Sequence, residues 1–276
     1  MSVLRADIDI KGQGARYILD DAKIVNLYKQ GQTSKQIALL LKVSIPTIKR
    51  RLRQYSVKKD TKYTLDQHIF YTFTPESCYW AGFLAADAWV GSNHKKKKIY
   101  VELAVKDIAH LYKMCIFLKR QKDAVKLKTI TKNNNIYREC VLEVGNKQIV
   151  YDLVNNFNIV QAKSFILKPP HKMPKELIKY FIRGYFDGDG HIGIHNDLIV
   201  FNIVSGSKNL LEWIMQIINE EINIKLKMYK KSNVHYIQTS GTKAQSIFNW
   251  LYKDSTQETR LDRKYERYLI YKEIGE

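Results

Sequence analysis

The chain has 276 residues, with 46 Lys+Arg against 27 Asp+Glu and a formal net charge of +19. That length supports one compact domain plus an appendage. The charge points to a polyanionic partner, nucleic acid before membrane, because no stretch of about 18 apolar residues is present to span a bilayer. Cys78, Cys115 and Cys140 are widely spaced and form no CxxC pair, which argues for a reducing compartment and against a disulfide framework or structural zinc. No positively charged leader followed by an apolar run opens the sequence. The expected location is therefore the cytoplasm, at a host nucleoid, or an organelle matrix, and not the exterior.

Residues 1–62 hold 14 Lys+Arg and 5 Asp+Glu, so nearly half of the net charge sits in under a quarter of the chain. Ile24, Val25, Leu27 and Tyr28 form an apolar helical face that ends at Gly31. Ile37, Ala38, Leu40 and Leu41 form a second, opened by Thr33 or Ser34 as cap. Ser44 caps a third with Pro46 in its first turn, carrying Ile48 and Leu52 inward and Lys49, Arg50, Arg51 and Arg53 outward. This arrangement over residues 1–57 resembles a helix-turn-helix, whose last helix enters the major groove. A small basic three-helix unit that contacts protein or phosphates alone fits the same pattern. Residues 58–76, through Lys58-Lys59-Asp60 to Pro75, lack clear periodicity and read as a linker.

Beyond it the chain repeats. Trp80-Ala81-Gly82-Phe83-Leu84-Ala85-Ala86-Asp87-Ala88 and Ile182-Arg183-Gly184-Tyr185-Phe186-Asp187-Gly188-Asp189-Gly190 are apolar helices that end in a carboxylate. Gly82/Ala86 and Gly184/Gly188 lie four apart, on one face, and let a second helix approach almost backbone to backbone. Helices packed this way bring Asp87 and Asp189 side by side, and two such carboxylates repel unless a cation neutralises them. Their hard oxygen donors suit magnesium. Val125-Lys126-Leu127-Lys128 recurs as Ile224-Lys225-Leu226-Lys227, Gly145-Asn146-Lys147 as Gly241-Thr242-Lys243, and Lys163 as Lys264.

Each repeat, 77–170 and 171–276, reads as motif helix, two strands, helix, two strands, helix. The stretch from Lys98 to Lys106 alternates Ile99, Val101, Leu103 and Val105 with polar positions. Asp107 and Ser207 open the next helices. Lys126, Lys128 and Arg138, matched by Lys225, Lys227, Tyr236 and Gln238, are expected outward on strands, giving each sheet one apolar and one basic face. A basic antiparallel sheet can lie along a major groove and contact phosphates or base edges. The outer face of Leu198–Val204 is more apolar than this expectation, and a solvated strand face would carry the same lysines.

The two motif segments resemble those of the LAGLIDADG homing endonucleases, the second copy well and the first with two departures. Ala85 stands where the family has its first Asp, and Ala88 where it has the closing Gly. The resemblance implies an α/β (α+β) fold of two pseudo-symmetric αββαββα repeats, a saddle of antiparallel sheets with the motif helices at the interface. It also implies a monomeric, sequence-specific endonuclease that hydrolyses both strands of duplex DNA with Mg2+ and needs no obligatory protein partner. Ca2+ would support binding without efficient cleavage. The carry-over places metal on Asp87 and Asp189 with the backbone oxygens of Ala88 and Gly190, and assigns Lys163 and Lys264 as active-site lysines. The departures imply unequal half-sites.

Two other readings stay open: a maturase-like RNA-binding splicing cofactor, and a DNA-binding regulator of the same fold that has lost cleavage. An Asp-Gly-Asp-Gly run is also a helix-ending turn. An EF-hand does not fit, because His191 occupies an alternating ligand position. His191 and His195 fall in a strand and cannot act as helical zinc ligands.

Overall fold

The three N-terminal helices form around five apolar side chains. A computed structural model describes residues 8–9, 16–17, 19–30, 32–55, 65–91, 97–132, 135–161 and 163–274, and the chain divides into two units, Met1–Lys62 and Tyr63–Glu276. In the first, β1 (Ile8–Asp9) pairs with β2 (Arg16–Tyr17), followed by α1 (Asp21–Lys29), α2 (Ser34–Leu40) and α3 (Ile45–Gln54). Each helix starts on a side-chain cap: Asp20 accepts from the Lys23 amide, Thr33 forms a capping box with Gln36, and Ser44 accepts from the Thr47 amide. Ile24, Ile37, Ala38, Ile48 and Leu52 are buried together. Gly31 and the run Lys58-Lys59-Asp60 lie outside the described residues.

In the second unit α4 (Pro75–Asp87) leads directly into β3 (Ala88–Gly91), then β4 (Lys98–Ala104), α5 (Ile108–Phe117), β5 (Lys126–Lys132), β6 (Asn135–Gly145) and α6 (Lys147–Phe157). The second repeat follows the same order: α7 (Ile178–Asp189), β7 (Gly190–His195), β8 (Leu198–Ser205), α8 (Lys208–Ile222), β9 (Met228–Lys231), β10 (Val234–Ser240), α9 (Thr242–Tyr252) and α10 (Asp262–Ile274). Both sheets are four-stranded and antiparallel, ordered β3-β4-β6-β5 and β7-β8-β10-β9. One apolar core runs through both repeats. Phe70 is buried in it with Leu65, Ile69 and Phe73 packed alongside, so the described part of the expected linker, 65–76, belongs to this unit.

The small residues of α4 and α7 do what their spacing requires. A Cβ added to Gly82 would lie 2.0 Å from the Phe181 carbonyl oxygen, and one on Gly184 would lie 1.9 Å from that of Tyr79. The two backbones are thus in direct contact, where no side chain fits. α4 starts at a Thr74/Ser77 capping box with Pro75 in its first turn. Both helices then stop where the chain turns extended, at Ala88 (ψ 146°) and Gly190 (ψ 161°).

Register corrects part of the sequence reading. Lys126 pairs with Val141 and Lys128 with Glu139, both on the face turned from the core, whereas Arg138 pairs with Thr129. Residues paired across an antiparallel ladder share a face. Arg138 therefore has the parity of Cys140 and Leu142, opposite to Lys126 and Lys128. Lys225 and Lys227 lie in the segment between α8 and β9, not on a strand. Tyr236 and Gln238 pair with Val204 and Asn202 on the outer face of the second sheet, as expected.

Candidate active site and nucleic-acid interface

The site begins where α4 and α7 end together. A Cβ on Gly188, the residue before Asp189, would lie 3.2 Å from Asp87 Oδ2, so the two acids emerge against one another. Burial pushes the Asp87 carboxyl up to about 6, and the charge of Asp189 adds to the shift while Lys264 and Lys163 oppose it. Asp189 is also raised by desolvation, against the pull of Lys163. Like charges held this way attract a cation or a proton.

Two buried lysines bring positive charge to the same place. Lys163 Nζ donates to the carbonyls of Ala86 (3.2 Å) and Ala88 (2.7 Å) at the end of α4. Lys264 Nζ donates to Phe186 (2.6 Å), Asp187 (2.8 Å), Gly188 (3.3 Å) and Gly190 (2.6 Å) at the end of α7. Each ammonium donates to carbonyls at its helix end, of which Phe186 also accepts from the Gly190 amide, and sits at the negative end of the helix dipole. Burial lowers both, Lys264 to about 8, with the nearby carboxylates pulling the other way. The carbonyls of Ala88 and Gly190 thus already accept from lysine, and each keeps a second lone pair for another partner.

The facing carboxylates fit a hard divalent ion that draws its other ligands from elsewhere. Magnesium takes one or two protein carboxylates plus phosphate oxygens and water, and the facing carboxylates supply that set. No group of three or more His, Cys, Asp and Glu able to hold a metal occurs among the described residues, so the remaining ligands would come from phosphate, water and backbone.

Sequence reasoning missed what ties α10 to the first repeat. Arg263 donates two 3.0 Å bonds to Asp107, and Lys113 Nζ donates to Asp262 (2.7 Å) and to the Arg260 carbonyl (3.1 Å). These contacts span about 150 positions of chain, and nothing local marks them. Asp107 precedes α5 without capping it by side chain, because its carboxylate is committed to Arg263.

The outer faces of the two sheets differ in charge, which corrects the expectation of two basic faces. On the first, Lys128 pairs with Glu102 (2.9 Å) and Glu139 (3.8 Å), and Lys98 pairs with Glu143 (3.0 Å). The outer positions of the second carry no acid: His191, His195, Leu198, Val200, Asn202, Tyr236, Gln238 and Ser240 face out by register, as does Lys231 opposite Val234. Asn202 Nδ2 donates to Gln238 Oε1 (3.1 Å) and Tyr236 stacks on Tyr229. A groove of about 560 Å³ runs over His191, Asn202 and Gln238. In the N-terminal unit Lys49, Arg50 and Arg53 are exposed as expected, whereas Arg51 turns to Asp21 (3.0 Å).

Comparison with known proteins bears on the fold. Residues 176–265, the second repeat, match the family model for LAGLIDADG-like domains. The homing endonuclease I-WcaI, bound to its DNA recognition sequence, is similar in structure with a TM-score of 0.50 at 14% identity, over 78% of this chain and 92% of that one. I-DmoI in complex with DNA and Mn aligns at a TM-score of 0.45 and 14% identity, over 66% of this chain and 98% of that one. A probable translation initiation factor IF-2 of Methanocaldococcus jannaschii is 29% identical over 131 residues, covering 41% of this chain. This chain spans only 11% of that protein's length. At 14% identity the likeness to I-WcaI is one of fold: the chain has the LAGLIDADG fold, two four-stranded sheets around paired motif helices.

Proposed function

We propose that this chain, carrying the LAGLIDADG fold, is a monomeric, site-specific endonuclease that cuts both strands of duplex DNA with Mg2+. The observation that supports this most is the convergence of Asp87 and Asp189 at the contacting ends of α4 and α7. Asp87 and Asp189 would hold the ions, with the carbonyls of Ala88 and Gly190 as further oxygen ligands. A divalent ion bound there would take charge off a phosphoryl oxygen and lower the pKa of an attacking water.

The residues of the chain do the rest. Lys163 and Lys264 hold fixed positive charge beside the scissile position and stabilise the negative charge that develops there. The outer sheet faces, with Lys126, Lys128, Tyr236 and Gln238, lie along the groove, Lys225 and Lys227 reach phosphate from their connecting segment, and Arg138 contacts the backbone from the opposite face of its hairpin. The N-terminal unit acts as a helix-turn-helix with Lys49, Arg50 and Arg53 of α3 toward the duplex, which an RNA major groove would not admit. Retention of both motif acids favours cutting over a regulator that only binds. Duplex-bearing compartments, a nucleoid or an organelle matrix, follow as the place of action.

Three measurements bear on this reading. Incubating the protein with a randomised duplex library and Mg2+ should enrich one family of double-strand breaks; recovery of no cleaved duplex, with structured RNA bound more tightly than DNA at equal salt, would replace it with the splicing-cofactor reading. Arg50→Ala with Arg53→Ala should weaken binding across all sequences and make the salt slope shallower by roughly two. An unchanged slope would remove α3 from the interface. Glu102→Gln should tighten DNA binding by roughly two- to tenfold, because it removes the nearer of the two acids paired with Lys128, a negative charge in an exposed pair of small intrinsic value. Weaker binding would place Glu102 itself on a base.

A further inference from the structure

The two halves of the site are braced differently. Two residues before each metal-facing acid stand Ala85 and Asp187, and Asp187 is 1% exposed. Its Oδ1 accepts from the Tyr252 hydroxyl (3.0 Å), and its Oδ2 accepts from the Tyr79 hydroxyl (2.8 Å) and the Leu261 amide (2.8 Å). Tyr79 comes from α4, Tyr252 ends α9, and Leu261 immediately precedes α10. The Leu261 carbonyl in turn accepts from the Lys264 amide (3.0 Å). One buried carboxylate therefore grips the first residue of the turn whose last residue is Lys264.

Among the described residues the first repeat has no matching carboxylate brace. Ala85 offers no acceptor, and the residue of α7 that matches Tyr79 is Phe181. The last residue of α6, matching Tyr252 at the end of α9, is Phe157. All three polar side chains of the network are apolar in the other half; among the described residues the turn at Lys163 is tied instead at its far end, where Ser207 Oγ donates to the Leu167 carbonyl (2.6 Å). The lysines differ accordingly: Lys264 reaches four helix-end carbonyls and Lys163 two.

We propose that Asp187 is a positioning residue for Lys264, and that it makes the second half-site the faster of the two at cutting its strand. This rests on the endonuclease reading for the cutting step and on geometry alone for the positioning step. A buried carboxylate satisfied by three donors fixes its partners tightly, and a charged group held in place needs no reorganisation when charge develops on the phosphate. Lys163, less constrained, loses part of that advantage.

The test uses the full chain with Asp187→Asn, which keeps the volume and removes the charge. Amide exchange should rise by about tenfold or more over 259–265 and stay unchanged over 163–167. On duplex with Mg2+, the strand slowed by D187N should be the one slowed by Lys264→Met and not the one slowed by Lys163→Met, leaving a nicked intermediate. Equal slowing of both strands, or exchange unchanged at 259–265, would overturn the proposal. If D187N does not fold, the wild type decides: its first nick should fall in the Lys264-dependent strand, and the reverse order refutes the idea. A wild type that cuts no duplex sinks the endonuclease reading and with it the strand order, while the exchange result still decides the positioning.

Discussion

Asparagine in place of Asp87 or Asp189 should leave a folded chain that binds duplex DNA in Ca2+ and fails to cut it in Mg2+. The two side chains are isosteric, so the α4–α7 contact survives, but a neutral amide neither binds a hard cation strongly nor helps to ionise a water. The loss in single-turnover cleavage should be on the order of 10³-fold or more, since an ion contributes several kcal/mol of charge stabilisation and each ~1.4 kcal/mol is tenfold in rate. Stability should move the other way. Asp87 is raised to about 6 by burial and by Asp189, so its ionised form is disfavoured in the fold. The resulting destabilisation grows as pH rises from the ordinary carboxylate range through about 6 and is fully present above it. The neutral amide of Asp87→Asn removes it, so this variant should melt no lower than wild type at pH 7. A variant that unfolds instead would show the acid to be structural.

Gly184→Ala and Gly82→Ala should be among the most damaging single-methyl changes in the chain. Each added carbon would fall within 2.0 Å of a backbone oxygen of the facing helix, and backbone cannot swing aside as a side-chain tip does. The helices would have to separate, at a cost of about 3 kcal/mol or more, the upper range for overpacking. For a unit of this size that is roughly 6–12 °C in melting temperature. Cleavage should fall further than stability, because separation also parts Asp87 from Asp189. Gly145→Ala is the control: nothing lies within 4 Å of its added carbon, and the melting temperature should hold. Equal tolerance at all three positions would contradict the close approach of α4 and α7.

The motif helices, the repeat and both acids are legible in the sequence because each is local: small residues four apart, a carboxylate at the helix end, alternation along β4. The caps at Thr33, Ser44 and Ser207 are readable for the same reason. Face assignment fails where it needs register. The sequence reading puts Arg138 beside Lys128, yet counting back by twos from buried Leu142 and Cys140 puts it on the opposite face, a signal present in the sequence. Lys225 and Lys227 fall off the strand because α8 runs to Ile222, so the repeat is offset there.

The rest depends on partners far away in the chain. The acids that neutralise Lys128 come from β4 and β6, and nothing near Lys128 announces them. Lys163 and Lys264 are placed by analogy of position, but their hold on helix-end carbonyls emerges only from the packing. The bracing of Asp187 needs Tyr79, Tyr252 and Leu261 brought together from three parts of the chain. Its one visible trace is the mismatch of Ala85 with Asp187, which reads as simple divergence until the apolar residues Phe181 and Phe157 are seen to accompany it.

Anomalous diffraction from the protein–duplex complex soaked in Mn2+ would test the shared site most directly. The account predicts manganese between the carboxylates of Asp87 and Asp189, within bonding distance of both and of phosphate, and its disappearance when both acids are replaced by asparagine. Manganese bound elsewhere while the duplex is still cut, or a doubly substituted variant that cuts at the wild-type rate, would contradict it.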